Sequence, residues 1–279
     1  MSTTTKMKHF LVATDFSETA QNAVKYAVEL AKLTKATITL VHVYNVPVMI
    51  SDAPVMPVIA FEDLQNENLE LLKRIELEIS HSAPEVKIKC IAEAGFANNE
   101  IIELGKPGNY DLIIMGIKGH NLVSAFLGST ATAVALDARV PVLIVPAEAC
   151  FENLASLAFA FDFKEINETA NLDLLRDLAG ISDAKIHVLY VAGDTREIPV
   201  EQTLVTEQMD DILEGLSHDL SFPSKDEPVK GIEDYLKLHK SDMLVMIRRK
   251  HGFFDRMFNG SYTKEMAFHT YIPLLVLHD

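Results

Sequence analysis

Residues 9–23, HFLVATDFSETAQNA, run a short apolar stretch into Asp15-Phe16 and then into a polar segment suited to starting a helix. Residues 157–170, LAFAFDFKEINETA, do the same, so Asp15 pairs with Asp162. Three further landmarks recur in the same order. TITLVHVYN from Thr37 matches KIHVLYVAG from Lys185, YDLIIMG from Tyr110 matches SDMLVMI from Ser241, and VPVLIVP from Val140 matches IPLLVLH from Ile272. A repeat on this scale sets the architecture before any single motif does. The chain reads as two tandem domains, residues 1–147 and 154–279, the second shortened in its middle.

Within the first copy, Val/Ile/Leu-rich runs predict strands near 9–14, 37–44, 86–92, 111–116 and 142–145. Helical periods fall near 17–33, 62–80, 97–105 and 129–137, with Ala20, Ala23, Val24, Ala27, Val28 and Ala31 on one face. Leu64, Leu69, Leu71, Leu72, Ile75, Leu77 and Ile79 promise the second helix a broad apolar side. Continuous apolar strands alternating with helices imply an α/β fold with a parallel sheet covered on both faces. Ligands bind beyond the carboxyl ends of such strands, at the switch point of the strand order, and Asp15, Val43 and Gly116 all fall at predicted strand ends. Each copy closes on a short apolar strand after proline, PVLIV from Pro141 and PLLVL from Pro273. These strands are expected at sheet edges, where Val142–Val145 can run antiparallel to Leu274–Leu277 and satisfy both edges.

Composition narrows the function classes. An apolar fraction of 48% is enough for two cores, and the two cysteines, Cys90 and Cys150, lack metal or disulfide spacing and read as reduced thiols. The formal charge of −15 argues against nucleic acid, whose phosphates are neutralised by Lys and Arg. No run approaches a membrane span and the N-terminus lacks a signal-peptide pattern, so a cytoplasmic location is expected.

The loop after the fourth strand carries Gly116, Gly119 and Gly128-Ser129-Thr130. Its glycines can admit a ligand close to the backbone, and the helix opened by Gly128-Ser129-Thr130 presents unpaired N–H groups to an anion. The same residues also suit a plain turn with Ser129 as N-cap. No GxxxxGK[ST] and no GxGxxG after the first strand are present, which removes the Walker and dinucleotide readings. Asp15 has a second reading as a helix cap, with Glu18 completing a capping box.

ATDFSETAQNAVKYAVELAK, LVHVY and MGIKGHNLVSAFLGSTATAVALDARVPVLIVP together resemble the universal stress protein family, and the whole chain resembles a tandem member of it. The resemblance implies two tandem Rossmann-like domains and an adenine-nucleotide site. In nucleotide-binding members the loop reads Gly-x2-Gly-x9-Gly-[Ser/Thr]; here Gly116, Gly119, Gly128 and Ser129 match, with the eight residues HNLVSAFL in place of nine. Carried over, Asp15 and Val43 would hold adenosine, and Gly116, Gly119, Gly128, Ser129 and Thr130 would surround the ribose and phosphates of ATP or AMP, with magnesium as a companion ion. The implied role is a stress-response regulator acting on an unnamed client protein, with the halves paired within the chain and homo-oligomers open to it. A nucleotide-free scaffold with a vestigial loop is the alternative.

The second copy keeps Asp162 but replaces the glycine loop with RRKHGFFDRMFNGSYTK, residues 248–264. Arg248 and Arg249 are expected where Gly116 and its neighbour would be, and Phe253, Phe254, Met257 and Phe258 would fill the nucleotide's space. This copy is expected to be nucleotide-free. The histidines form no HExxH or zinc pattern; His42 reads as strand packing and His120 as an exposed loop residue. With no positioned general base in view, hydrolysis is expected to be slow at most. The apolar stretch VPVMISDAPVMPVIAF, residues 46–61, is long for a connection and suits a cover over a ligand or partner, or self-packing.

Overall fold

The computed structural model describes residues 7–46, 58–118, 130–161, 172–190, 198–222, 228–248 and 272–278. In the first half, strands β1 (His9–Ala13), β2 (Thr37–Tyr44), β3 (Ile88–Ala94), β4 (Leu112–Ile117) and β5 (Val142–Pro146) alternate with helices α1 (Glu18–Thr34), α2 (Val58–Ser82), α3 (Ala97–Leu104) and α4 (Thr130–Asp137). The second half repeats the scheme with β6 (Ser156–Phe161), β7 (Lys185–Tyr190), β8 (His218–Ser221), β9 (Met243–Arg248) and β10 (Leu274–His278). Its described helices are α5 (Asp173–Ser182), α6 (Ile198–Ile212) and α7 (Pro228–Leu238).

The ten described strands form one sheet in the order β3-β2-β1-β4-β5-β10-β9-β6-β7-β8. Within each half the pairs are parallel; the halves meet where β5 and β10 run antiparallel, with Val142, Leu143 and Ile144 opposite Val276, Leu275 and Leu274. The two apolar closing strands thus satisfy each other's edges, as their sequences predicted. The strand order reverses between β1 and β4 and again between β6 and β9, so each half has a crevice at that point.

The repeat extends to a carboxylate clamp. Asp111 Oδ2 accepts the N–H groups of Lys8 at 2.8 Å and His9 at 2.9 Å, and Asp242 Oδ2 accepts those of Ala155 at 2.7 Å and Ser156 at 2.8 Å. Each aspartate precedes one central strand and ties down the start of its neighbour. Bonds to a charged acceptor contribute about 1.5–3 kcal/mol.

Two expectations change. The apolar side of α2 is narrower than its leucines suggested: Leu72 and Ile79 are buried, Leu69 and Ile75 pack beside them, and Leu71 and Leu77 face solvent. Spacing by three and four selects the buried set, and the other two fall off that stripe. The apolar stretch 46–61 is not all connection either, because its last residues, 58–61, form the first turn of α2; residues 47–57 lie outside the described set.

Candidate functional site

At the carboxyl ends of β1, β2 and β4 lies a cavity of about 280 Å3. Ala13, Thr14 and Asp15 contribute from the end of β1, Val41 and Val43 from β2, and Met115 through Lys118 from β4 and the residue after it. Ala97 and Ile101 of α3 and Thr130 and Ala131 of α4 close the far side, while Ser17, Thr19 and Ala20 belong to the start of α1. Four residues singled out from sequence, Asp15, Val43, Gly116 and Thr130, therefore share one cavity. Gly119, Gly128 and Ser129 lie outside the described residues, as does His120.

The turn from β1 to α1 sets the carboxylate. Phe16 adopts a left-handed backbone, φ 63°, which a residue with a bulky side chain takes only where its surroundings enforce it. Here the Phe16 N–H donates to Thr14 Oγ1 at 3.1 Å, and its ring lies 4.4 Å from that of His42, centroid to centroid. His42 Nδ1–H in turn donates to the Thr14 carbonyl at 2.7 Å, so this histidine braces the turn rather than serving as a base in the cavity. Asp15 is not the helix cap. Ser17 takes that position, its hydroxyl accepting the Ala20 N–H at 3.3 Å, while Asp15 Oδ1 accepts the Ser17 N–H at 3.0 Å. Burial opposes charge on Asp15, but the hydrogen bonds from Ser17 and the ammonium of Lys118 outweigh it and hold the carboxyl below its ordinary range. An ionised acceptor at the mouth of an apolar slot is the result.

Gly116 has a different reason for lacking a side chain than a left-handed turn. It lies inside β4 and is not among the glycines with positive φ; a Cβ there would meet the Thr19 carbonyl oxygen at 2.7 Å. Helix α1 sits so close to β4 that only glycine fits.

Strand register shows what the second half did with the same positions. Ala13 lies opposite Met115 as Ala160 lies opposite Met246, and opposite Val41 as Ala160 lies opposite Leu189. Thr14 therefore corresponds to Phe161, Val41 to Leu189 and Gly116 to Ile247. The expectation that Arg248 replaces Gly116 is off by one residue: β9 runs through Arg248, which occupies the place of Ile117. Phe161, Leu189 and Ile247 are all buried, so bulky apolar side chains, rather than arginine charge, stand at these strand-end positions; Asp162, Arg249, Phe253, Phe254, Met257 and Phe258 lie outside the described residues.

Sequence reading missed Thr14, Lys118, Ala97 and Ile101. Lys118 follows Gly116 by two residues and is the one cation lining the cavity among the described residues; only the end of the strand could have pointed to it. Among the described residues no group of three or more His, Cys, Asp or Glu gathers as metal ligands, and no helix is long and apolar enough to cross a membrane. The Cys90 thiol, pushed up to about 12 by burial and the adjacent Glu76 carboxylate, is a poor nucleophile.

Residues 6–146, about half the chain, match the family model described as the Universal stress protein family. Universal stress protein A homolog 1 of Coxiella burnetii is 34% identical over 145 residues, spanning 50% of this chain and 95% of that protein. A universal stress protein of Methanocaldococcus jannaschii is 32% identical over 140 residues, spanning 50% and 81%. The crystal structure of a universal stress protein from Archaeoglobus fulgidus aligns with a TM-score of 0.71 at 20% identity, covering 96% of this chain and 95% of that one. The likeness of fold therefore extends over both halves.

Proposed function

Because the chain belongs to the universal stress protein family, we propose that the cavity of its first half binds an adenine nucleotide, ATP or AMP, and that the second half is a degenerate partner without one. The observation that carries this reading is the convergence of Asp15, Val43, Gly116, Lys118 and Thr130, from separate stretches of sequence, on one cavity. The cavity's size lies near the lower end of the roughly 300–1,000 Å3 usual for small-molecule pockets. Val41, Val43, Met115 and Ile101 offer an apolar slot to a purine. The ionised Asp15 accepts from an amino group or ribose hydroxyl. Lys118 and Thr130, the latter at the first turn of α4, are suited to phosphate oxygens, with Gly119, Gly128 and Ser129 completing that end. Magnesium accompanying ATP would be carried chiefly by the phosphates, as is usual for this ion.

The reading extends to a cytoplasmic stress-response regulator that senses nucleotide and acts through a client protein. We read hydrolysis as slow at most: no described histidine lines the cavity, and His42 nearby is committed to the Thr14 carbonyl. One observation favours the alternative of a nucleotide-free scaffold: Gly116 is fully accounted for by the nearness of Thr19 and needs no ligand. Mass spectrometry of small molecules released from freshly purified protein decides between them. Adenine nucleotide at up to one per chain is expected; none released, and none taken up from millimolar AMP or ATP, leaves the scaffold.

A further inference from the structure

Helix α4 has eight residues, about 12 Å at ~1.5 Å per residue. A helix this short is not stable by itself and takes its position from what holds it. At one end Thr130 and Ala131 line the cavity. At the other, Ala138 N–H donates to Val134 O at 2.9 Å, and the Ala135 carbonyl falls among the last four, which have no donor within the helix. That carbonyl accepts from His278 Nε2 at 2.9 Å. His278 belongs to the other half, at the end of β10.

The ring's state follows from its neighbours. A carbonyl only accepts, so Nε2 carries the hydrogen and Nδ1 is the bare nitrogen of the neutral ring. Arg248 stands in register with His278 on β9. Burial, and with it the Arg248 charge, pushes His278 down to about 4 against the Ala135 bond, so the neutral donor form prevails around pH 7. The corresponding pair in the first half is Ile117 and Pro146, aligned in the same way on β4 and β5. Proline has no side-chain donor, so the contact has no counterpart running from Pro146 to the second half. A buried polar group without its bond is costly. Here that cost falls on the contact between the second half and a wall of the first half's cavity.

We infer that His278 is a positioning residue for the nucleotide site, bracing α4 from the degenerate half so that Thr130 and Ala131 are held at the cavity. This rests on the nucleotide reading above. Helix α4 also packs on α3, whose Ala97 and Ile101 line the cavity, so releasing its far end loosens two walls together. The second half is then retained for what it holds in place in the first.

The test uses the full chain and two variants, His278→Ala and His278→Gln, the glutamine amide keeping a donor near Nε2. Hydrogen exchange is followed across residues 130–137 and in the central strands, and AMP and ATP are titrated by calorimetry where all chains are folded. Expected for His278→Ala is faster exchange in α4, unchanged protection in β1 and β4, and affinity weaker by about five- to tenfold, the equivalent of one neutral hydrogen bond; His278→Gln restores most of both. The inference is overturned by unchanged exchange in α4, by loss of protection spread evenly over the sheet, or by loss confined to α4 with affinity unaltered. A wild-type chain that binds neither nucleotide sinks the reading of the cavity, and with it His278 as a residue of that site; the exchange arm then still decides whether the second half holds α4.

Discussion

The two halves share a strand order, a carboxylate clamp and a closing strand, and they differ at the crevice. Asp111 and Asp242 make the same two backbone bonds at nearly the same distances, yet Thr14, Val41 and Gly116 of one half become Phe161, Leu189 and Ile247 of the other. A parallel sheet needs its central strands buried on both faces and its connections short; it does not need an empty crevice. The fold can therefore be copied with larger apolar side chains at the strand ends, and their burial contributes about 25 cal/mol per Å2. The open copy keeps a gap and a left-handed Phe16, features that lower stability and point to function, beside a carboxylate held ionised at the mouth.

The junction separates one continuous sheet from two neighbours that touch. Leu143→Pro removes a ladder N–H in β5, which lies between β4 and β10. A loss above roughly 4 kcal/mol is expected, the range single substitutions reach only by breaking a core or backbone, along with division of one urea transition into two. A single transition with a small shift would mean that the halves do not depend on this pairing.

Acid probes the asymmetry at the strand ends. The unfolded His278 protonates near the ordinary histidine value of 6.5, whereas the folded one stays neutral to about 4. Between those values the unfolded state binds the extra proton, so the contribution is full above pH 6.5 and is lost as pH falls, by up to about 3 kcal/mol. The difference in unfolding free energy between wild type and His278→Gln, measured from pH 7 to 4, should change by that order; a constant difference would place the histidine in water.

Exchanging crevice residues sharpens the contrast next. Gly116→Ile puts the second half's residue into the first, where even a Cβ meets the Thr19 carbonyl at 2.7 Å. About 2–3 kcal/mol of destabilisation by overpacking is expected in urea melts, together with loss of nucleotide binding. Retained affinity would show that the glycine serves packing alone.

Much of this was legible from the chain. The strands announced themselves because burial on both faces demands uninterrupted Val, Ile and Leu, and the two closing strands, PVLIV and PLLVL, implied the antiparallel junction because each needed a partner for its edge. Asp15, Val43 and Gly116 could be gathered because ligands in such folds sit at strand ends, and Thr130 because it opens the helix after the glycine loop and matches the family's motif. What stayed hidden depended on tertiary approach. Gly116 owes its identity to α1 packed against β4; Ser17 outcompetes Asp15 for the cap through a left-handed Phe16 that no propensity predicts; and the helical period shared by Ala97 and Ile101 does not say that their face meets the strand ends, where Lys118 also lies. His278 ends an apolar strand without any motif around it, and only a partner 143 residues away in sequence gives it a role.

The smallest stability effect expected is at Asp15. Asp15→Ala removes one bond to the Ser17 N–H and should cost about 1 kcal/mol, while AMP and ATP both weaken by about tenfold or more. Because its carboxyl is held below the ordinary range, the contribution to binding is full at neutral pH and is lost only as pH falls through that lowered value. Equal affinity in the variant would reduce Asp15 to a turn residue.

The central claim is that one fold carries one working site and one filled one. Calorimetric titration of the wild-type chain with AMP and with ATP tests it most directly. The account predicts saturation at one nucleotide per chain, abolished by Gly116→Ile. Two equivalent sites per chain, or one site that survives Gly116→Ile unchanged, would contradict it.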